Sequence, residues 1–193
     1  MPKLGMEPIR RAALVEATIA EVGQIGSLDV TVAQIARRAG MSSALAHHYF
    51  GSKERMFLAA MRHILTLYGA EVRGALAAAD GPQSRLAGVI RASFSTSNFR
   101  HEVVAAWLNF YVLAQTLPAA RRLLRVYQRR LYSNLIHELR ALGEPRAAGI
   151  ARGIGAMIDG LYIREALSDL QPDGRAAAAT VLAYLRAERG TGS

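Results

Sequence analysis

Residues Thr31–Lys53 read TVAQIARRAGMSSALAHHYFGSK. Thr31 can cap a short helix carrying Val32, Ile35 and Ala36, and Gly40 ends that helix with a chain reversal. Ser42 can cap a second short helix that runs to about Phe50, where Gly51 and Ser52 interrupt again. Two short helices joined by a glycine turn form a helix-turn-helix, with Ala36 and Ala39 small enough for close packing. Ile35, Leu45 or Ala46, and Phe50 are expected to lock the pair onto a preceding helix. Ser42, Ser43, Ala44, His47 and His48 then face outward. They are short or hydrogen-bonding side chains, suited to a duplex groove and its phosphates. The helix starts add free N–H groups that favour phosphate, and Lys53 adds a mobile positive charge.

Outward from this stretch the period stays near 3.6 residues. Val15, Ile19 and Val22 mark a first helix that stops in the Gly23–Gly26 region, and Ser52 caps a long helix with Phe57, Met61, Ile64 and Tyr68 on one face. After the Asp80-Gly-Pro82 turn come helices marked by Leu86, Val89/Ile90 and Phe94, and then by Val103, Trp107, Phe110 and Ala114. Pro118 suits the first position of a helix carrying Leu124, Leu131, Leu135, Leu139 and Leu142. Beyond Gly143-Glu-Pro145 lies a helix with Ile150, Ile154, Met157 and Leu161. Pro172-Asp-Gly174 introduces the last, with Ala177, Val181 and Tyr184, and Gly190–Ser193 reads as a frayed end. The fold class is all-α, with about nine helices and no repeat.

Composition agrees. The chain has 193 residues, 51% hydrophobic and 20% charged, enough for a real core. The absence of cysteine excludes disulfides, thiolate zinc sites, iron–sulfur clusters and a cysteine nucleophile. Lys and Arg number 24 against 15 Asp and Glu, a formal +9 that points to a polyanionic partner. That charge is spread along the chain: residues 1–68 contribute +3 and residues 69–193 contribute +6. The longest uncharged run, Val103–Ala120, holds Asn109, Gln115, Thr116 and Pro118 and reads as a buried helix rather than a membrane span. No leader is expected, and the location is cytoplasmic. No nucleophile–base pair, HExxH or phosphate loop supports an enzyme, no metal site is expected, and no cofactor is required. His47 and His48 point about 100° apart on a helix, which argues against a shared metal.

Thr31, Ile35-Ala36, Ala39-Gly40, Ser42, Tyr49-Phe50 and Lys53 resemble the DNA-binding motif of the TetR family of bacterial regulators. The chain departs from that pattern at Met41, where Val is usual, at Ala44, where Gly is common, and at His47, where Tyr is common. The resemblance implies an all-helical homodimer that binds double-stranded operator DNA. The expected DNA-contacting set is Thr31, Ser42, Ser43, Ala44, Leu45, His47, His48, Tyr49 and Lys53. The expected division is a DNA-binding domain over 8–68, with the helix-turn-helix at 31–50, and a ligand-binding and dimerisation domain over 69–193. Dimerisation is expected through the last two helices, about 145–188. The opening Met1–Arg11, the run Ala33–Gly40, Ala106-Trp-Leu108 with Phe110, Arg130-Leu131, Ser133-Asn-Leu135 and Ile158-Asp-Gly-Leu161 with Arg164 resemble a narrower group. Its members repress the genes that make glycine betaine from choline and release them on binding choline. A repressor of another regulon, such as drug efflux or lipid metabolism, is the alternative.

Choline carries a quaternary ammonium, which donates no hydrogen bond and is held by aromatic faces with a carboxylate as counter-charge. Phe94, Phe99, Trp107, Phe110, Tyr111 and Tyr162 offer aromatic surface, and Asp159 is an acid within an apolar helix. These seven form the expected effector site. The aromatic set also reads as plain core, and Asp159 as a cap or a partner for Arg152 or Arg164. Gly149, Gly153, Gly155 and Gly160 are not a dinucleotide fingerprint, because no strand precedes them and Ile158 holds the third glycine position. They suit close helix packing, including across a dimer. The Arg-rich run Arg121–Arg130 reads as the solvated face of its helix, with a nucleic-acid stripe as the alternative.

Overall fold

The architecture follows from caps and glycine turns that divide an almost continuous helical pattern. The computed structural model describes residues 5–190. Residues 1–4 of the quoted opening and residues 191–193 of the glycine-rich tail lie outside them. Among the described residues there are nine helices and no strand: α1 (Met6–Ile25), α2 (Val32–Arg38), α3 (Ser43–Phe50), α4 (Lys53–Ala77), α5 (Pro82–Ser93), α6 (His101–Thr116), α7 (Pro118–Ala141), α8 (Ala147–Ala166) and α9 (Gly174–Gly190).

Three caps set the N-terminal elements in place. Gln34 N–H donates to Thr31 Oγ1 at 3.2 Å while Thr31 N–H donates to Gln34 Oε1 at 2.7 Å, a reciprocal capping box. Ser42 Oγ accepts from Leu45 N–H at 3.2 Å, and Ser52 Oγ from Arg55 N–H at 3.3 Å. Gly40 turns the chain between α2 and α3 at φ +67°, in the left-handed region that costs a side-chain-bearing residue about 1–2 kcal/mol. Val22, Ile35, Ala46 and Met61 are buried together beneath these helices.

The first three helices pack as α1 on α2 and α2 on α3, with α1 also on α4. Helix α4 is continuous across residues 68 and 69, so it belongs to the three-helix head at one end and to the larger bundle at the other. In that bundle α4 packs on α5, α6 and α7, α6 on α7 and α8, and α9 on α5 and α8. Helix α1 packs on α6 as well. There the backbone of Gly23 comes so near Glu102 that an added Cβ would stand 2.6 Å from its Cα. The glycine therefore sits within α1 rather than ending it, and Gly26 supplies the C-cap at φ +74°.

The glycines of α8 divide by role. A side chain at Gly153 would overlap the Tyr184 phenol of α9, so this position lets two helices of one chain approach. Gly149, Gly155 and Gly160 face open space. On α7, Leu131, Leu135 and Leu139 are buried whereas Arg122, Arg125, Arg129 and Arg130 are exposed, which matches a solvated face opposite a leucine row. Arg121 bends back instead, donating to the carbonyls of Ala114 and Gln115 at the end of α6.

Candidate functional site

The reading head presents α3 with its outer side chains free. Ala44, His47 and His48 are exposed, as are Thr31 and Ser42, while Ser43, Leu45 and Tyr49 are half-buried. Ser42 spends one acceptor on capping, which leaves its hydroxyl proton, whereas the Thr31 hydroxyl both accepts from Gln34 N–H and donates to Gln34 Oε1 at 2.8 Å. His47 Nδ1 lies 3.2 Å from the Gly51 carbonyl, so Nε2 is the nitrogen that points outward. Lys53 is not the mobile charge expected: its ammonium donates to the Leu28 carbonyl at 2.8 Å, tethered to the loop before α2. Two further residues brace the head without a legible motif. The Arg11 guanidinium lies over both Tyr49 and Phe50, at 5.4 and 5.3 Å from the ring centres. Glu21, buried on α1, accepts from Arg38 Nε of α2 at 2.6 Å.

The second constellation is an aromatic chamber at the centre of the larger bundle. Trp107 of α6 stands 4.7 Å from Tyr127, 5.6 Å from Phe110, 5.7 Å from Tyr111 and 5.8 Å from Tyr162, ring centre to ring centre. Tyr68, Trp107, Tyr127 and Tyr162, with Ser93 and Asn98, enclose a cavity of about 10 Å³, room for about one water. Of the expected residues, Trp107 and Tyr162 form its wall. Phe94 and Phe99 stand behind Tyr162, at 6.0 and 4.8 Å. Phe110 meets Trp107 edge-on, and Tyr111 and Asp159 are hydrogen-bonded to each other outside the cavity wall. Tyr68 and Tyr127 were not expected here. Tyr68 appears in the sequence as one more residue of an apolar stripe, and Tyr127 is hidden in an arginine-rich run, although it falls four residues before Leu131 on the leucine face.

Asp159 gives the chamber its electrostatic character. The Tyr111 hydroxyl donates to its Oδ1 at 2.9 Å, joining α6 to α8. Burial pushes the Asp159 carboxyl above its ordinary range, opposed by hydrogen bonds from Tyr111 and Gln128. Neither Arg152 nor Arg164 pairs with it; no ion pair among the described residues includes Asp159. Burial is also the main reason the phenols resist ionisation. Tyr68 is pushed up to about 12, and Tyr111, Tyr127 and Tyr162 are raised well above 10.0. The negative charge of Asp159 adds to the rise in all four. The rings are therefore neutral. Tyr162 is held by donating to the carbonyls of Ser93 at 2.6 Å and Asn98 at 3.0 Å. Among the described residues no cluster of three or more His, Asp or Glu is placed to hold a metal, and no helix is long and apolar enough to cross a membrane.

A capped helix-turn-helix joined through one long helix to a larger helical bundle with an aromatic centre is the architecture of a DNA-binding regulator. Residues 14–60 match the model for bacterial regulatory proteins of the TetR family, and residues 82–190 match the C-terminal domain of BetI-type transcriptional repressors. The chain belongs to the TetR family, with a BetI-type C-terminal domain. It is 53% identical to the HTH-type transcriptional regulator BetI of Brucella anthropi, across 96% of each chain. It is 51% identical to that of Agrobacterium fabrum, across 86% of this chain and 82% of that one. These relatives are transcriptional regulators, not enzymes. Among solved structures, a transcriptional regulator from Saccharomonospora viridis in complex with choline superposes with a TM-score of 0.80 at 19% identity, covering 91% of this chain and 95% of that one. A TetR regulator from Haloarcula marismortui does so with 0.80 at 20% identity, covering 93% and 98%. At such identity the two structures show the shared fold.

Proposed function

We propose that this repressor controls genes for glycine betaine synthesis from choline, and that choline or a related quaternary ammonium entering the aromatic chamber releases it from its operator. The observation that carries the reading is a half-buried carboxylate, Asp159, in no ion pair among the described residues and hydrogen-bonded to one of the three tyrosines that pack on Trp107. That is the chemistry a quaternary ammonium needs, each ring contact contributing roughly 0.5–2 kcal/mol. The names of the 53%-identical relatives and the choline found in a regulator of the same fold support it. The cavity is too small for a trimethylammonium group, so binding must part the rings, and that difference between closed and filled chamber is what an effector can use to shift the head.

The proposed DNA-contacting set is Thr31, Ser42, Ser43, Ala44, Leu45, His47, His48, Tyr49 and Lys53, with the two domains at 8–68 and 69–193. The proposed effector set keeps Trp107, Tyr111, Asp159 and Tyr162 at the chamber, with Phe94, Phe99 and Phe110 supporting their rings. A homodimer through α8 and α9 is supported by the exposed Ile163 and Leu167. It would set two α3 helices in successive major grooves of cytoplasmic DNA, with centres roughly 34–36 Å apart or somewhat more.

Fluorescence anisotropy of labelled operator, titrated with choline, tests this. Wild type should release DNA. Trp107→Leu, which keeps an apolar side chain but removes the indole face, should bind operator normally and need about 2- to 30-fold more choline. Release unchanged by the substitution would remove Trp107 from the site.

A further inference from the structure

Two walls of the chamber are shared with a second space. Tyr68 and Tyr127 also line an open groove of about 650 Å³ between α4 and α7, within the size range of small-molecule sites. Its floor is apolar, made by Leu65, Val72, Leu123 and Val126. Three arginines stand around it, Arg62 and Arg73 from α4 and Arg130 from α7, and no Asp or Glu lines it. All three are exposed, and none joins an ion pair among the described residues. The Arg73 guanidinium lies back along its helix, with Nη1 3.3 Å from the point where a Cβ on Gly69 would stand. The order of charge is therefore fixed. Aromatic faces lie inside, with Asp159 hydrogen-bonded to Tyr111 beside them, and guanidinium groups lie outside, with one pair of tyrosines between them.

A simple quaternary alcohol satisfies the inner half and leaves the arginines without a counter-ion. A molecule with a cationic end and an anionic end on a short link satisfies both. We propose that the α4–α7 groove is an anion subsite continuous with the chamber, and that the effector class includes phosphate esters of choline. This rests on the reading of the chamber as a quaternary-ammonium site. The trimethylammonium end enters between Tyr68, Trp107 and Tyr127, and the phosphate meets Arg73 and Arg130. Guanidinium is suited to phosphate because its N–H groups can pair with two oxygens at once. The edge contact of Tyr68 with Tyr127, 5.7 Å between centres, must open for entry, so these two rings act as the door from groove to chamber.

Calorimetric titration of the full chain with choline, with phosphocholine and with inorganic phosphate separates the two halves. Wild type should bind phosphocholine about ten-fold tighter than choline, a gap of about 1.4 kcal/mol. The double variant Arg73→Gln/Arg130→Gln should lose that advantage while binding choline, and operator DNA, as wild type does. Inorganic phosphate should compete with phosphocholine and leave choline binding alone. Phosphocholine binding no tighter than choline in wild type, or an advantage that survives in the double variant, overturns the anion subsite and leaves the choline reading standing. Binding of neither ligand overturns both. Rising salt should erode the advantage of phosphocholine, since the arginines are exposed.

Discussion

Asp159 holds a negative charge among rings and aliphatic helix faces, with only hydrogen bonds from Tyr111 and Gln128 to stabilise it. Because burial raises its pKa above the usual 3.8, the folded protein holds that proton more tightly than the unfolded chain. Stability from this group is therefore greatest at low pH, falls as pH rises from 3.8 toward the raised value, and is level beyond it. Choline should follow the opposite course, gaining affinity as the carboxyl ionises across the same window. Asp159→Asn should flatten both dependences and weaken choline at neutral pH, read by calorimetry across a pH series. A pH profile the same in the variant and wild type would place the titration elsewhere. Lys53 makes a different kind of prediction. Its ammonium is already ordered on the Leu28 carbonyl, so it can meet a phosphate at little further cost in side-chain entropy. Lys53→Ala should weaken operator and random DNA alike, and lower the salt slope of log K by about 0.9 if one phosphate contact is lost. A change confined to the operator would contradict a phosphate role.

At the scale of the element, two glycines separate backbone cost from packing cost. Gly40 has φ +67° with nothing within 4 Å of an added Cβ, so Gly40→Ala should cost about 1–2 kcal/mol through the backbone alone. Gly153 lies in the interior of α8 with ordinary helical geometry, yet its Cβ would run into Tyr184. Gly153→Ala should destabilise by about 1–3 kcal/mol through overpacking, despite alanine's better helix propensity. Tyr184→Ala should relieve the second penalty and leave the first, as thermal melts of single and double variants would show. Helix boundaries were legible because caps are local: Thr31, Ser42 and Ser52 each bond three residues onward. The brace of Arg11 on Tyr49 and Phe50 was not, since it joins residues nearly forty apart in sequence.

For the whole molecule, helix α6 is the shared part. It carries Trp107 and Tyr111 on one side, and on the other touches α1, where Glu102 packs on Gly23 and Asn109 Nδ2 donates to the Gly26 carbonyl at 3.1 Å. Ring movement at the chamber therefore acts on the helix that also seats the reading head, and any effector works only through its different affinity for the two placements. DNA binding in turn needs two heads. Ala176, Ala179 and Ala183 leave one face of α9 exposed in the single chain. Ala179→Glu should split a dimer formed through α8 and α9, lowering operator affinity sharply while leaving choline binding per chain intact. Sedimentation velocity beside the anisotropy titration reads both, and a variant still dimeric with full operator affinity would move the interface elsewhere.

Periodicity, capping residues and turn glycines, all of them short-range, determined that this chain is helical throughout, where its helices begin, and that Thr31–Phe50 form a reading head. Asp159 stood out as an acid within an apolar helix, and Trp107 as an aromatic face suited to the cation that the resemblance implied. Only the tertiary structure decided which rings meet. Tyr68, Tyr127 and Tyr162 lie on three different helices and come together around Trp107 through helix crossings that no single period encodes. It likewise decided that Lys53 is tethered and that Asp159 has no cation beside it. A side chain's helix can be read from its neighbours in sequence, but its electrostatic environment depends on the packing of distant segments.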